Sequence, residues 1–106
     1  MIHLTENTQI LLATQPADFR KGIDGFVAVC SQCLQVDPRS GTLFVFINRP
    51  ATMIRILAYQ GNGYYLITKR LSRGRFAHWP RSDQSLQPLQ AYKLRQLLDN
   101  LLAPSR

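Results

Sequence analysis

The sequence predicts an α+β fold: one domain over residues 1–106, with a small, mainly antiparallel sheet of about four strands packed with two helices. Three observations carry this expectation. Several apolar runs have strand length and are bounded by Gly, Pro or Asn. Two stretches carry apolar residues at spacings of three and four. A chain of 106 residues with 45% hydrophobic content can bury one core but not a second.

Residues 8–14, TQILLAT, read as a short buried strand closed by the Gln15-Pro16 break. A helix follows over about residues 22–36, because Ile23, Phe26, Val27, Cys30 and Leu34 fall on one helical face. The Asp37-Pro38 step ends it, since the proline ring disfavours helical geometry in the residue before it. Residues 42–47, TLFVFI, form an apolar run between Gly41 and Asn48, the pattern of a strand buried on both faces. Residues 53–60 and 64–69 read as two strands joined around Gly61-Asn62-Gly63, where Asn-Gly accepts the positive φ angles of a tight hairpin turn. Alternation in the first of these sends Ile54, Ile56 and Ala58 to one side and Arg55, Leu57 and Tyr59 to the other. The segment 69–81 has no clear period and is placed on a strand end and an ordered loop. From Pro88 a second helix is expected, with Leu94, Leu97, Leu98 and Leu101 as its apolar stripe and Ala103-Pro104 as its end.

Charge is distributed unevenly along these elements. The chain has 13 Lys and Arg against 6 Asp and Glu, a formal net charge of +7. From Pro38 to Arg81 there is no carboxylate, yet Arg39, Arg49, Arg55, Lys69, Arg70, Arg73, Arg75 and Arg81 fall there. Such a block points to a polyanion, because Lys and Arg neutralise phosphates and release counterions. Gly74 between Arg73 and Arg75 lets backbone N–H groups approach a phosphate closely. The competing reading is a solvated basic face that aids solubility or meets an acidic protein. Phe76 and Trp79 could stack on bases, but beside a turn and Pro80 they are expected instead to pin the loop to the core.

A second cluster, DFRKGIDG, lies at the approach to the first helix and holds Asp18, Arg20, Lys21, Gly22, Asp24 and Gly25. Free backbone N–H groups at such a point can hold an anion; the alternative is that Asp18 or Asp24 caps the helix and Arg20 pairs with a carboxylate. It is not a phosphate loop of the Gly-x-x-x-x-Gly-Lys kind. Cys30 and Cys33 have no partners that complete a zinc site, and two small buried thiols account for both. With few carboxylates and no recognisable nucleophile–base signature, no catalytic residue, metal or cofactor is assigned. No run reaches the roughly 18 to 20 apolar residues that span a bilayer, and the N-terminus lacks a signal-peptide pattern. The expectation is a cytoplasmic protein with no membrane partner.

The blocks DFRKGIDGF, GTLFVFINR and IRILAYQGNGYYLITKRLSRGRFAHWP, in this order, resemble the TnpB accessory proteins of the IS-66 family of bacterial insertion sequences. The resemblance covers nearly the whole chain. It implies a bacterial protein that acts beside a separate transposase without carrying strand-transfer chemistry, with DNA or the transposase as partner and association with the nucleoid when bound. Where the family pattern has acids, this chain has Tyr59-Gln60, Ser72 and Arg49-Pro50-Ala51-Thr52, which weakens any enzymatic reading. The expected phosphate contacts are Lys69, Arg70, Arg73 and Arg75, with Arg20, Lys21 and Arg49 behind them. The alternatives are an adaptor that docks on the transposase without touching DNA and, for the chain itself, self-association.

Overall fold

The computed structural model describes residues 4–100. In chain order the elements are β1 (Ile10–Ala13), α1 (Ile23–Ala28) continued by a π-helical turn (Val29–Cys33), β2 (Leu43–Ile47), β3 (Met53–Gln60), β4 (Gly63–Arg70), β5 (Leu86–Pro88) and α2 (Ala91–Asp99). The sheet has five strands in the order β4-β3-β2-β1-β5; β1 and β2 pair in parallel and every other pair is antiparallel. The α+β class is the one expected, with five strands in place of about four.

β2 is the middle strand, and all five of its residues are buried. Its alternation feeds two cores. Leu43, Val45 and Ile47 join Ile10, Ile54, Ile56 and Ala58 under Ala91 and Leu94 of α2. Phe44 and Phe46 join Ala13 and Leu57 under Phe26 and Cys30 of α1. A helix therefore covers each face, which is why the central run carries no polar residue. Fully burying a Phe or Leu contributes roughly 1.5–3 kcal/mol, so Phe26, Phe44, Phe46 and Leu94 are among the main anchors of these layers.

Four details differ from the sequence reading. The first helix ends by residue 33, because Gln35 takes a left-handed φ of 56° three residues before Pro38. Within it Ile23 is exposed, and Cys33 is exposed while Cys30 is fully buried, so the two thiols are not both core residues. The wide turn, in which the Leu34 N–H reaches the Val29 carbonyl, separates positions three apart that an α-helix would stack. In the hairpin Gln60 pairs with Gly63, so the two turn residues are Gly61 and Asn62, and the positive φ of 63° falls on Gly61. Glycine in the first turn position is the other favoured two-residue solution.

Pro88 belongs to a strand rather than to the second helix, which begins at Ala91. β5 lies at a sheet edge, where a residue without an N–H is tolerated, and it pairs with β1 through Leu86, Gln87 and Pro88. Leu94 and Leu97 are buried as expected; Leu101 and the Ala103-Pro104 stop lie outside the described residues.

Candidate nucleic-acid interface

Topology decides where the basic segments meet. Because β3 is antiparallel to both neighbours, β1, β2 and β4 run in one direction and their carboxyl ends share one edge of the sheet. β5 starts at that edge too, since Leu86 pairs with Ala13. β4 and β5 are the two outermost strands, so the chain from 71 to 85 crosses the ends of β3, β2 and β1 as a strap.

Hydrogen bonds fasten the strap along its course. The Leu71 N–H donates to the Thr52 carbonyl at 3.0 Å and the Phe76 N–H to the Ala51 carbonyl at 2.7 Å. Trp79 Nε1 donates to the Ala13 carbonyl at 3.0 Å, and Thr14 Oγ1 to the Gln84 carbonyl at 2.6 Å. Phe76 is buried and Trp79 packs against the α2-side core, so both act as pins, as the sequence suggested. Asn100, left-handed at the end of α2, accepts from the Ala77 N–H and donates to the Arg75 carbonyl. Gly74 sits at φ 79°, a conformation other residues adopt at a cost.

The turn after β2 is built by Asn48. Its Oδ1 accepts from the backbone N–H of Thr52 at 2.8 Å and of Met53 at 3.0 Å, while its Nδ2 donates to Thr52 Oγ1 at 3.0 Å. Asn48 is 8% exposed, and this satisfaction of its polar atoms makes the burial tolerable. Ala51 is held at φ 61° in the same turn and is the residue that receives Phe76.

The DFRKG segment reaches this edge through Ala17, which bridges Asn48 and donates its N–H to the Ile47 carbonyl. Arg55 fixes it from below. Its Nη1 donates to the carbonyls of Phe19 at 2.6 Å and Lys21 at 3.1 Å, its Nε donates to Thr68 Oγ1, and its guanidinium lies 4.9 Å from the Phe19 ring centre. A cleft of about 580 Å³ separates Ala17, Asp18, Phe19 and Arg20 from Asn48, Arg49, Pro50 and Met53.

The expected contact residues differ in what they are free to do. Arg49, Arg70, Arg73 and Arg75 are exposed, and their guanidinium groups have no partner among the described residues. Arg81, on the strap but absent from the expected contacts, is in the same state. Arg20 is paired with Asp18 through Nε and Nη2, closest at 2.8 Å. This side-chain bond, then the Arg20 backbone N–H, holds the Asp18 carboxyl well below the usual carboxylate range. The pairing part of the alternative reading of DFRKGIDG is thus observed, but the helix N-cap is Gly22, with no side-chain cap. Lys21 adds a favourable charge beside Asp18. Lys69 Nζ donates to the Leu98 carbonyl at 2.7 Å and lies 3.8 Å from Asp99, at the negative end of α2. Arg39 stands 5.5 Å from the Tyr59 ring, near the hairpin at the opposite edge.

Arg55, Asn48 and Asn100 were not singled out as site residues by sequence. Arg55 carried a signal as a cation alternating with Ile54 and Ile56 on a strand with little exposed surface, and Asn48 stood in the GTLFVFINR block, whereas Asn100 had none.

The model of the family described as IS66 Orf2 like protein matches residues 8–104. The chain belongs to that family. It is also similar to two proteins of Sinorhizobium fredii (strain NBRC 101917 / NGR234). "Uncharacterized protein y4jC" is 38% identical over 86 residues, covering 81% of this chain and 74% of that one. "Uncharacterized protein y4hO" is 31% identical over 101 residues, covering 95% and 87%. No solved structure matches significantly. Membership in the IS66 Orf2-like family gives the protein an accessory role in insertion-sequence transposition. Among the described residues no helix is long and apolar enough to cross a membrane.

Proposed function

We propose that the protein is a non-catalytic DNA-binding factor that assists the element's transposase in the cytoplasm, gripping phosphates through the strap and the β2–β3 turn. The observation that carries this reading is the convergence of Arg49, Arg70, Arg73, Arg75 and Arg81 on one sheet edge with their guanidinium groups unpartnered. Guanidinium forks bind phosphate bidentately, and the strap's bonds to Thr52, Ala51, Ala13 and Asn100 hold its backbone in place before DNA arrives. Lys69 and Arg20 come second, because each is already held by the protein's own carbonyl or carboxylate groups, and Lys21 stands with them as the exposed neighbour of the Asp18–Arg20 pair. The non-catalytic part rests on the sequence, which has only 6 Asp and Glu and carries no recognisable nucleophile–base signature. The adaptor alternative has less behind it, since the exposed apolar residues Ile23, Tyr65, Ile67 and Tyr92 are spread over three elements.

Fluorescence anisotropy with duplex DNA across a salt series tests the proposal. The wild-type affinity should fall linearly on logarithmic axes, and Arg70→Ala/Arg73→Ala/Arg75→Ala should flatten that slope by roughly 0.9 per lost phosphate contact, up to about 2.7. Absence of binding at low salt, or a slope the triple variant leaves unchanged, would overturn it. Pull-down of purified transposase before and after nuclease treatment separates the adaptor reading, because a DNA bridge disappears on digestion.

A further inference from the structure

β4 is an edge strand of a kind that folded proteins seldom leave bare. It runs for eight residues in unbroken register with β3, without a bulge or proline, and its first charge is Lys69. The six residues before that, GYYLIT, are uncharged and rich in strand formers. The usual protections of an edge are short length, charge, proline or a bulge. β5, at the other edge, has the first and third of these, with three residues including Pro88. Beyond the helix cover, β4 also exposes Tyr65 (44%) and Ile67 (40%), which stand opposite Ala58 and Ile56 on the α2 side of the sheet.

The register shows which backbone groups are open. Bonds from the Leu71 N–H to the Thr52 carbonyl and from the Asn48 N–H to the Met53 carbonyl fix the alternation of the β3–β4 ladder. Gly63, Tyr65, Ile67 and Lys69 turn their N–H and C=O groups to β3. Tyr64, Leu66, Thr68 and Arg70 therefore turn theirs outward, where no further strand pairs with β4 among the described residues.

We propose that β4 pairs antiparallel with β4 of a second copy of this chain, about a twofold axis at Leu66. In this register Leu66 faces the partner's Leu66 and Tyr64 faces the partner's Thr68, so the outward groups form about six interstrand hydrogen bonds. On the α2 side, Tyr65 falls opposite the partner's Ile67 twice over, an aromatic–branched pair of the kind that stabilises strands. Lys69 falls opposite the partner's Gly63, so no cation of the seam meets another despite the +7 charge of each chain. An axis at Ile67 would instead set Tyr65 against the partner's Lys69, whose ammonium is already held by the Leu98 carbonyl and Asp99. A strand with no charge over six residues offers nothing to select a strongly charged partner, whereas it complements itself.

Light scattering on nuclease-treated protein at about 0.5 M salt, where charge screening is nearly complete, provides the first measurement. The mass of two chains is expected near 100 μM, falling toward one on dilution, with about the size of a small interface behind it. Ile67→Lys changes an exposed side chain and leaves the β3 ladder intact; it should give a monomer with unchanged circular dichroism. In a Cys33→Ser background, Leu66→Cys should oxidise to a covalent dimer, because opposed residues of a hydrogen-bonded pair stand about 5.5 Å apart between Cα atoms. That measurement decides the matter even if the lysine variant misfolds. A single-chain mass throughout, or a dimer that Leu66→Cys fails to cross-link, would overturn the proposal. So would a monomer whose binding to purified transposase is abolished by Ile67→Lys, since β4 would then receive a strand of the transposase.

Discussion

Replacing Asn48 by alanine should damage both the fold and the basic edge, by an amount that the turn's hydrogen bonds define. The side chain makes three bonds at 2.8–3.0 Å, and removing it strands the N–H groups of Thr52 and Met53 beside a residue that is 8% exposed. At roughly 0.5–1.5 kcal/mol per bond, with part of the desolvation of the two N–H groups added, the loss is about 2–4 kcal/mol. A domain of this size has about 5–15 kcal/mol to lose, so the variant should fold but melt lower by roughly 10–25 °C. Asn48→Asp is the sharper comparison, because a carboxylate keeps the acceptor for both N–H groups and Thr52 Oγ1 can rotate to donate to it. The aspartate should therefore lose less than half as much as the alanine in urea denaturation. If the two variants lose equally, or Asn48→Ala loses under about 0.5 kcal/mol, the turn is not held by this side chain and the account fails.

Three further outcomes follow from the strap and its neighbours. Gly74→Ala meets no atom within 4 Å but forces alanine to φ 79°, so urea denaturation should register a loss of about 1 kcal/mol. Asn100→Ala releases the strap from α2 at Ala77 and Arg75, and amide exchange should rise at Ala77 well before the core strands exchange. Asp18 has a folded pKa depressed by Arg20, so its stabilisation is present above the unfolded value of about 3.9 and is lost only as pH falls through the lower folded value. Its carboxyl carbon should accordingly titrate below the ordinary carboxylate range, and Arg20→Ala should move that step up toward the ordinary value in NMR.

The parts of the fold legible in the sequence are those with a local period or a local breaker. β2 announced its double burial by five consecutive apolar residues, and the alternation of β3 assigned Ile54, Ile56, Ala58 and Leu57 to the correct faces. β5 was hidden because three residues carry no period and Pro88 looks like a helix start; only pairing with Leu11 across 77 positions makes it a strand. The end of the first helix is not legible in the sequence, because it depends on Gln35 entering the left-handed region, which no residue type there foretells. The same contrast holds at the basic edge. Arg70, Arg73 and Arg75 were visible as a cluster, but that Lys69 would turn to the end of α2 depends on a helix 29 positions further on.

Charge counting along the chain therefore overstates the surface offered to a polyanion, and topology corrects it. Of the cations in the acid-free stretch, Arg55 is spent on carbonyls and rings, Lys69 on a helix terminus, and Arg39 lies toward the opposite edge. What remains at one edge is Arg49 from the β2–β3 turn and Arg70, Arg73, Arg75 and Arg81 from the strap and its root. These come from segments separated by a complete hairpin, and they meet only because β4 runs parallel to β2 and the strap must return across the sheet to reach β5. A strap that simply joined two strands would not need bonds to Ala13, Ala51 and Thr52, since flexible connections of this length close at little entropic cost. Those bonds fix where the backbones of the strap arginines lie, and in the proposed DNA-binding role fixing them in advance would lower the ordering cost of gripping a rigid array of phosphates.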